Sequence, residues 1–79
     1  MIAIIDYDAG NLKSVEKAFI RLGEKVAVSR DREIILHADG IVLPGVGSFG
    51  DAMGKLRQYG LDAVIQEADR KGIVILSVG

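Results

Sequence analysis

Residues 39–51 read Asp39-Gly40-Ile41-Val42-Leu43-Pro44-Gly45-Val46-Gly47-Ser48-Phe49-Gly50-Asp51, and they indicate how the rest of the chain is organised. The apolar run from Ile41 to Leu43 ends at the only proline of the chain and enters a loop rich in glycine. This pattern predicts a buried strand that delivers a shaped loop. Glycine lets main-chain N–H groups approach a ligand closely, and a helix predicted from Asp51 onward adds free amide donors and a partial positive charge.

A bound anion or a developing oxyanion would be favoured at this loop, so we predict weak anion binding at residues 45–50. A purely structural interpretation stands beside it, because a chain that turns sharply from a strand into a helix often needs glycine without binding anything. The local pattern leaves both interpretations open.

Composition and charge narrow the class of protein. The 79 residues make one small domain or part of a larger one, and 49% are apolar, which is enough for a core. The net charge is −1 without a run of like charge, which argues against binding to nucleic acid or to a membrane surface. The N-terminal apolar run is too short for a signal peptide or a membrane span, so we expect a cytoplasmic protein.

The sequence offers little for metal or cofactor chemistry. There is no cysteine, which rules out a disulfide or a thiolate metal site within these residues. The single histidine, His37, cannot form a metal site alone, and we interpret it as a helix-end residue. We therefore expect no metal and no cofactor.

Strands and helices alternate along the chain in the predicted order β-α-β-α-β-α-β. The predicted strands are residues 1–5, 25–29, 41–43 and 73–78; the first and last are expected to be buried on both faces and the second to be more exposed. Apolar stripes at helical spacing predict two longer helices, one with Leu12, Val15, Ala18, Phe19 and Leu22, the other with Leu61, Val64, Ile65 and Ala68.

Turn and capping residues punctuate these elements. Asn11 and Asp31 are the predicted N-caps of the first helix and of a brief helical turn. Gly23 and Gly72 are the predicted stops of the two longer helices, and a short helix from Asp51 is expected to end near residues 59–60. The alternation predicts a single domain over residues 1–79, an open, mostly parallel α/β sheet with helices on both faces. Ligands of such sheets bind outside the carboxyl ends of the strands, where the glycine loop would lie.

Several stretches together resemble one known family. They are Ile4-Ile5-Asp6-Tyr7 with Gly10-Asn11-Leu12 and Ser14-Val15, the run Ala38-Asp39-Gly40-Ile41-Val42-Leu43-Pro44-Gly45-Val46-Gly47 with Phe49-Gly50-Asp51-Ala52-Met53, and Leu61 with its helix. On these motifs the chain resembles the N-terminal part of the glutaminase subunit of imidazole glycerol phosphate synthase. The resemblance implies a half-sized flavodoxin-like fold.

The resemblance also implies a site and a partner. Members of the family hydrolyse glutamine with a cysteine nucleophile, a histidine and an acidic residue, and they pass ammonia to a cyclase subunit in histidine biosynthesis. Carried over to this chain, the segment from Pro44 through Gly45 and Val46 to Gly47 is the oxyanion loop. Gly10 and Asn11 would lie near the face that meets the cyclase subunit.

The chain departs from the family pattern where the nucleophile is expected. Aligned from Gly72, Gly79 falls at the cysteine position, and the partner histidine and acidic residue belong to the half of the family sequence not present here. No catalytic residue is therefore assigned, because nucleophilic catalysis needs a nucleophile, a base and an orienting group in contact.

Other polar residues suggest rival sites, each with a structural alternative. Asp6 and Asp8 are similar to the acidic cluster of phosphorylatable receiver domains, but Pro44 stands where such a domain needs an aspartate. Ser48 and Ser77 have no base nearby in sequence, and Tyr7 is interpreted as a packing residue with its hydroxyl at the sheet edge.

Two interpretations of the whole chain remain. One is a non-catalytic half-domain, cut or engineered, that completes itself by forming a homodimer because a half-sized sheet leaves an apolar strand edge uncovered. The other is the N-terminal portion of an active glutaminase that supplies ammonia to the cyclase subunit.

Overall fold

The computed structural model describes residues 1–7, 12–45 and 49–78. In chain order these ranges hold β1 (Ile2–Ile5), α1 (Leu12–Arg21), β2 (Val26–Ser29), α2 (Arg32–Leu36), β3 (Gly40–Pro44), α3 (Phe49–Gln58), α4 (Asp62–Arg70) and β4 (Val74–Val78). The strands form one parallel sheet in the order β2-β1-β3-β4. The predicted half-sized flavodoxin-like α/β class is confirmed.

The two middle strands carry the most buried backbone. In β1, Ala3, Ile4 and Ile5 are fully buried, and every residue of β3 is buried. They are apolar throughout because each has a strand on both sides and side chains on both faces of the sheet. The predictions of a central first strand and a more exposed second strand are confirmed, since β2 lies at one edge of the sheet with mostly half-buried residues.

The main core lies on the sheet face that α2, α3 and α4 cover. Alternate residues of β1 and β3 point to this face, as the two-residue period of a strand requires. The buried core residues are Ala3, Ile5, Tyr7, Ile35, Leu36, Ala38, Ile41, Leu43, Ala52, Leu56, Leu61, Val64, Ile65 and Ala68. All four residues of the apolar stripe predicted for the second long helix are in this set, so that stripe is confirmed.

The opposite face is covered by α1, which packs over β2 and places Phe19 beside Ile2 and Val42. The apolar stripe predicted for this helix is only partly confirmed, because Ala18 is exposed and Leu22 is 76% exposed. For Leu22 the reason is that α1 ends at Arg21, so this residue already belongs to the turn and leaves the buried side of the helix.

Helix ends follow the predicted capping residues. The Asp31 carboxylate accepts the Glu33 N–H at 2.8 Å, and His37 is the C-cap of α2, which confirms both predictions. The predicted N-cap Asn11 lies outside the described residues. Gly23 and Gly72 follow α1 and α4 with φ of 84° each, a left-handed conformation that glycine adopts without steric cost.

Two glycines allow the cost of this left-handed turn to be measured. A Cβ added at Gly54 or at Gly72 would meet nothing within 4 Å, so the two sites differ in backbone conformation and not in space. Gly54→Ala, inside α3, should stabilise the protein by about 0.5–1 kcal/mol, whereas Gly72→Ala should destabilise it by about 1–2 kcal/mol. Urea denaturation of the two variants should give changes of opposite sign in the free energy of unfolding. Changes of the same sign would contradict the left-handed conformation assigned to Gly72.

Several element boundaries differ from the prediction by one or two residues, and β1, β2 and β4 each begin one residue later than predicted. β3 extends one residue further at each end, to Gly40 and Pro44, and α3 begins at Phe49 instead of Asp51. Proline is tolerated at position 44 because the next residue, Gly45, donates its N–H toward β4, so the nitrogen of Pro44 faces the β1 side. On that side the ladder ends at the pair Ile4 and Val42, so no ladder bond requires an N–H at position 44.

The prediction for the last strand is wrong in one respect. β4 was expected to be buried on both faces, but it lies at the edge of the sheet, and Val74 and Leu76 are 70% and 51% exposed. An apolar run indicates that a strand can be buried, but burial needs neighbours on both sides and both faces. Within the described part of the chain, β4 pairs only with β3 and no helix covers its α1 side.

Candidate functional site

The carboxyl ends of the strands bring together the residues that the sequence singled out. The register aligns Ile5 with Ser29 and Pro44 with Val78, so the segments that follow β1, β2 and β3 meet at one edge of the sheet. This is the edge at which open parallel sheets bind ligands. We call it the carboxyl edge.

Tyr7 ties the end of β1 to the end of β3. Its ring is fully buried, and its hydroxyl donates a hydrogen bond to the carbonyl oxygen of Pro44, which is itself buried. Burial raises the pKa of the Tyr7 phenol, so the side chain stays neutral and keeps its donor at neutral pH. The interpretation of Tyr7 as a packing residue with its hydroxyl at the sheet edge agrees with this geometry.

The start of the glycine loop is held by the sheet. The Gly45 N–H donates to the carbonyl oxygen of Val78, which continues the β3–β4 pairing one residue beyond Pro44. This N–H is therefore already engaged. Val46 and Gly47, which complete the predicted oxyanion loop, lie outside the described residues, as does Ser48.

A polar cluster that the sequence did not reveal lies at the same edge. Arg30 Nη2 is 3.3 Å from Asp6 Oδ2, and the Arg30 guanidinium carbon lies 4.5 Å from the centre of the Tyr59 ring. The hydrogen bond to Asp6 raises the pKa of the Arg30 guanidinium, so this group stays charged. The cluster links the ends of β1, β2 and α3. No local signal marks it, because its members come from three separate elements.

The ion pair between Asp6 and Arg30 also argues against the receiver-domain alternative. Asp6 is engaged with Arg30, and Pro44 ends β3 where such a domain needs an aspartate. Asp8, the second acidic residue of that hypothesis, lies outside the described residues.

The remaining sequence candidates are not brought into this site by the described structure. His37 lies just before β3, at the amino end of the sheet, and its Nδ1 is 2.7 Å from the Glu33 carbonyl oxygen. Ser77 is exposed in β4. Gly10, Asn11 and Gly79 lie outside the described residues.

Across residues 1–7, 12–45 and 49–78, no three His, Asp or Glu side chains are grouped so that they could hold a metal ion. In the same ranges, no helix combines the length and the apolar character needed to cross a membrane.

The relatives of this chain among known proteins are the same subunit of one enzyme in several bacteria. No family model matches the chain. The chain is 51% identical over 77 residues to the imidazole glycerol phosphate synthase subunit HisH of Lactococcus lactis, and 52% identical over 77 residues to that of Moorella thermoacetica. It is 50% identical over 78 residues to the same subunit of Streptococcus mutans.

These matches cover nearly the whole chain but only part of each relative. They span 98%, 98% and 99% of this chain, and 38%, 37% and 39% of the three relatives in the same order. The chain thus spans well under half the length of the curated relatives that it matches. It belongs to the HisH family and corresponds to the N-terminal part of the glutaminase subunit of imidazole glycerol phosphate synthase.

Proposed function

We propose that the chain supplies the oxyanion-loop half of a glutamine amidotransferase fold and that these 79 residues alone are non-catalytic. The observation that carries this proposal is the absence of cysteine from the whole sequence, with Gly79 at the position of the family nucleophile. Acyl transfer from glutamine in this family needs a thiolate, a base and an orienting group. The described carboxyl edge instead offers a neutral phenol and an Asp–Arg pair.

The loop from Pro44 to Gly47 would stabilise the oxyanion through backbone N–H groups. The Tyr7 hydrogen bond supports this role because it fixes Pro44, the first residue of the loop. Since the Gly45 N–H is engaged with Val78, the N–H groups that follow Gly45 would be the donors.

In the longer protein, the partner would be the HisF cyclase subunit and the product passed to it would be ammonia. Gly10 and Asn11 would face that partner, in a cytoplasmic enzyme of histidine biosynthesis. This part of the proposal is supported by the relatives, which are subunits of imidazole glycerol phosphate synthase.

A glutaminase assay tests the catalytic part of the proposal. The chain, alone or with a HisF cyclase subunit, should release no glutamate above the buffer blank, whereas intact HisH of Lactococcus lactis should turn over. Gly79→Cys should remain inactive, because a thiol without its base and orienting group is a weak nucleophile. Glutamate release by the chain itself would overturn the proposal.

A second function is supported by the identity of 50–52% to HisH relatives over nearly the whole chain. The chain would be the N-terminal portion of an active glutaminase whose remaining residues supply the triad. When residues 1–78 are joined to the Lactococcus lactis HisH sequence from its nucleophile cysteine onward, the chimera should hydrolyse glutamine in the presence of the cyclase subunit. An inactive but folded chimera would contradict this second function.

We also propose that the 79-residue chain associates with a second copy. Support comes from the exposure of Val74 and Leu76 on β4, a strand that pairs only with β3 among the described residues. An uncovered apolar edge favours pairing with another strand. Sedimentation should give twice the chain mass of 8.5 kDa, and a folded monomer at high concentration would contradict association.

A further inference from the structure

The peptide between Pro44 and Gly45 is held from both sides of β3. Its carbonyl oxygen accepts the hydroxyl of Tyr7, which follows β1, and its N–H donates to the carbonyl oxygen of Val78 in β4. A trans peptide is planar and directs its C=O and N–H groups to opposite sides. Hydrogen bonds at both ends therefore fix the plane of this peptide and its position between β1 and β4.

The Tyr7 hydroxyl joins β1 to β3 beyond the point where their backbones pair. The register of the two strands ends at Ile4 and Val42, two residues before Pro44. After Val42, the next carbonyl of β3 that faces β1 is that of Pro44, because strand carbonyls alternate in direction. The phenol ring lies in the apolar core, where a phenylalanine ring would fill the same space. What the hydroxyl adds is thus the hydrogen bond to Pro44.

Val78 connects the same peptide to the position at which the family carries its nucleophile. The register pairs Pro44 with Val78, and Val78 directly precedes position 79. The Gly45 N–H therefore joins the start of the oxyanion loop to the residue before the nucleophile position. Donors of an oxyanion hole act when they lie about 2.7–3.1 Å from the oxygen that becomes charged. The reaction rate therefore depends on how the loop is placed relative to the nucleophile.

We propose that Tyr7 is a positioning residue for glutamine hydrolysis in an amidotransferase that contains this chain. It acts through the peptide between Pro44 and Gly45, which it holds in register with Val78. This inference rests on the oxyanion role proposed above for residues 44–47 and names the side chain that places this loop. Because the oxyanion forms only near the transition state, loss of the link lowers kcat and leaves KM nearly unchanged.

Steady-state kinetics of a chimera test this role. Residues 1–78, joined to the Lactococcus lactis HisH sequence from its nucleophile cysteine onward, are assayed with the HisF cyclase subunit, with and without Tyr7→Phe. The substitution should lower kcat by about tenfold or more and change KM by less than about twofold. The assay temperature is one at which circular dichroism shows both proteins folded, so that a lower kcat does not reflect unfolded enzyme.

Ile35→Val in the same chimera is the control for lost stability. Ile35 is fully buried in the core on α2, so this change removes a buried methyl group and leaves the Tyr7 hydrogen bond in place. Its kcat should stay within about twofold of the unsubstituted chimera. An equal decrease of kcat in the two variants would overturn the positioning role, and so would an unchanged kcat in Tyr7→Phe.

Amide hydrogen exchange in the 79-residue chain tests the link without catalysis. In Tyr7→Phe, the Gly45 amide should exchange about tenfold faster relative to the Asp6 amide, which donates to the Ser29 carbonyl at 3.1 Å. An unchanged ratio of these two exchange rates would overturn the inference, even if the variant chimera did not fold.

The kinetic outcomes separate this inference from the proposed function. If the folded chimera with Tyr7 hydrolyses no glutamine, the proposed function is overturned and the role of Tyr7 with it. If that chimera is active and Tyr7→Phe keeps its kcat, only the role of Tyr7 is overturned.

Discussion

Replacement of Leu56 by alanine should lower the free energy of unfolding by about 2–5 kcal/mol. Leu56 lies on α3, is fully buried, and packs in the core that joins the sheet to α2, α3 and α4. Its removal leaves a cavity that a closely packed core fills only in part. Because total stability is about 5–15 kcal/mol for ordinary domains and small domains lie at the low end, this variant should be largely unfolded near 37 °C.

Leu22→Ala is the matched control, because it removes the same atoms from a leucine that is 76% exposed. Its effect should lie within about 0.5 kcal/mol of zero. Urea unfolding followed by far-UV circular dichroism measures the free energy of unfolding of both variants. All samples should have the same protein concentration, because association would shift the apparent stability. A similar decrease in the free energy of unfolding of the two variants would contradict the placement of α3 over the core.

Replacement of Tyr7 by phenylalanine should cost about 1–3 kcal/mol, although it removes a single oxygen atom. The loss arises because the Pro44 carbonyl stays buried but no longer receives the Tyr7 hydroxyl. A buried acceptor without a donor carries the full cost of its desolvation. We expect the loss of this link to move the amide signals of β3 and Gly45 in NMR spectra.

Tyr59→Phe is the control for Tyr7→Phe. Tyr59 is 37% exposed, and its ring, which lies beside Arg30, is retained in phenylalanine. Its stability should therefore change by less than about 0.5 kcal/mol. The role assigned to the Tyr7 hydroxyl would be refuted by equal changes in the two tyrosine variants.

Local chemistry was sufficient to predict most of the fold. The apolar runs of β1 and β3, the Asp31 cap and the turns at Gly23 and Gly72 each depend on a few neighbouring residues. Such features are visible in sequence because hydrophobic period, capping and positive φ act over one or two turns of chain.

The candidate site was predicted only in outline. A strand leading into the glycine loop, predicted for residues 41–43, and the position of Tyr7 at the sheet edge were expected, and the structure places the end of β3 and Tyr7 at the carboxyl edge. The cluster of Asp6, Arg30 and Tyr59 was not expected, because its members are far apart in sequence and meet only when the elements pack together.

The burial of β4 shows most directly which features the sequence determines and which the tertiary structure determines. Sequence by itself determined that residues 74–78 form an apolar strand, because local propensity and a helix stop at Gly72 suffice for that. Only the tertiary structure decided that Val74 and Leu76 are exposed, since burial depends on which strands and helices lie beside β4. Hydrophobicity states what a side chain favours, whereas the packing of distant segments determines whether it is covered.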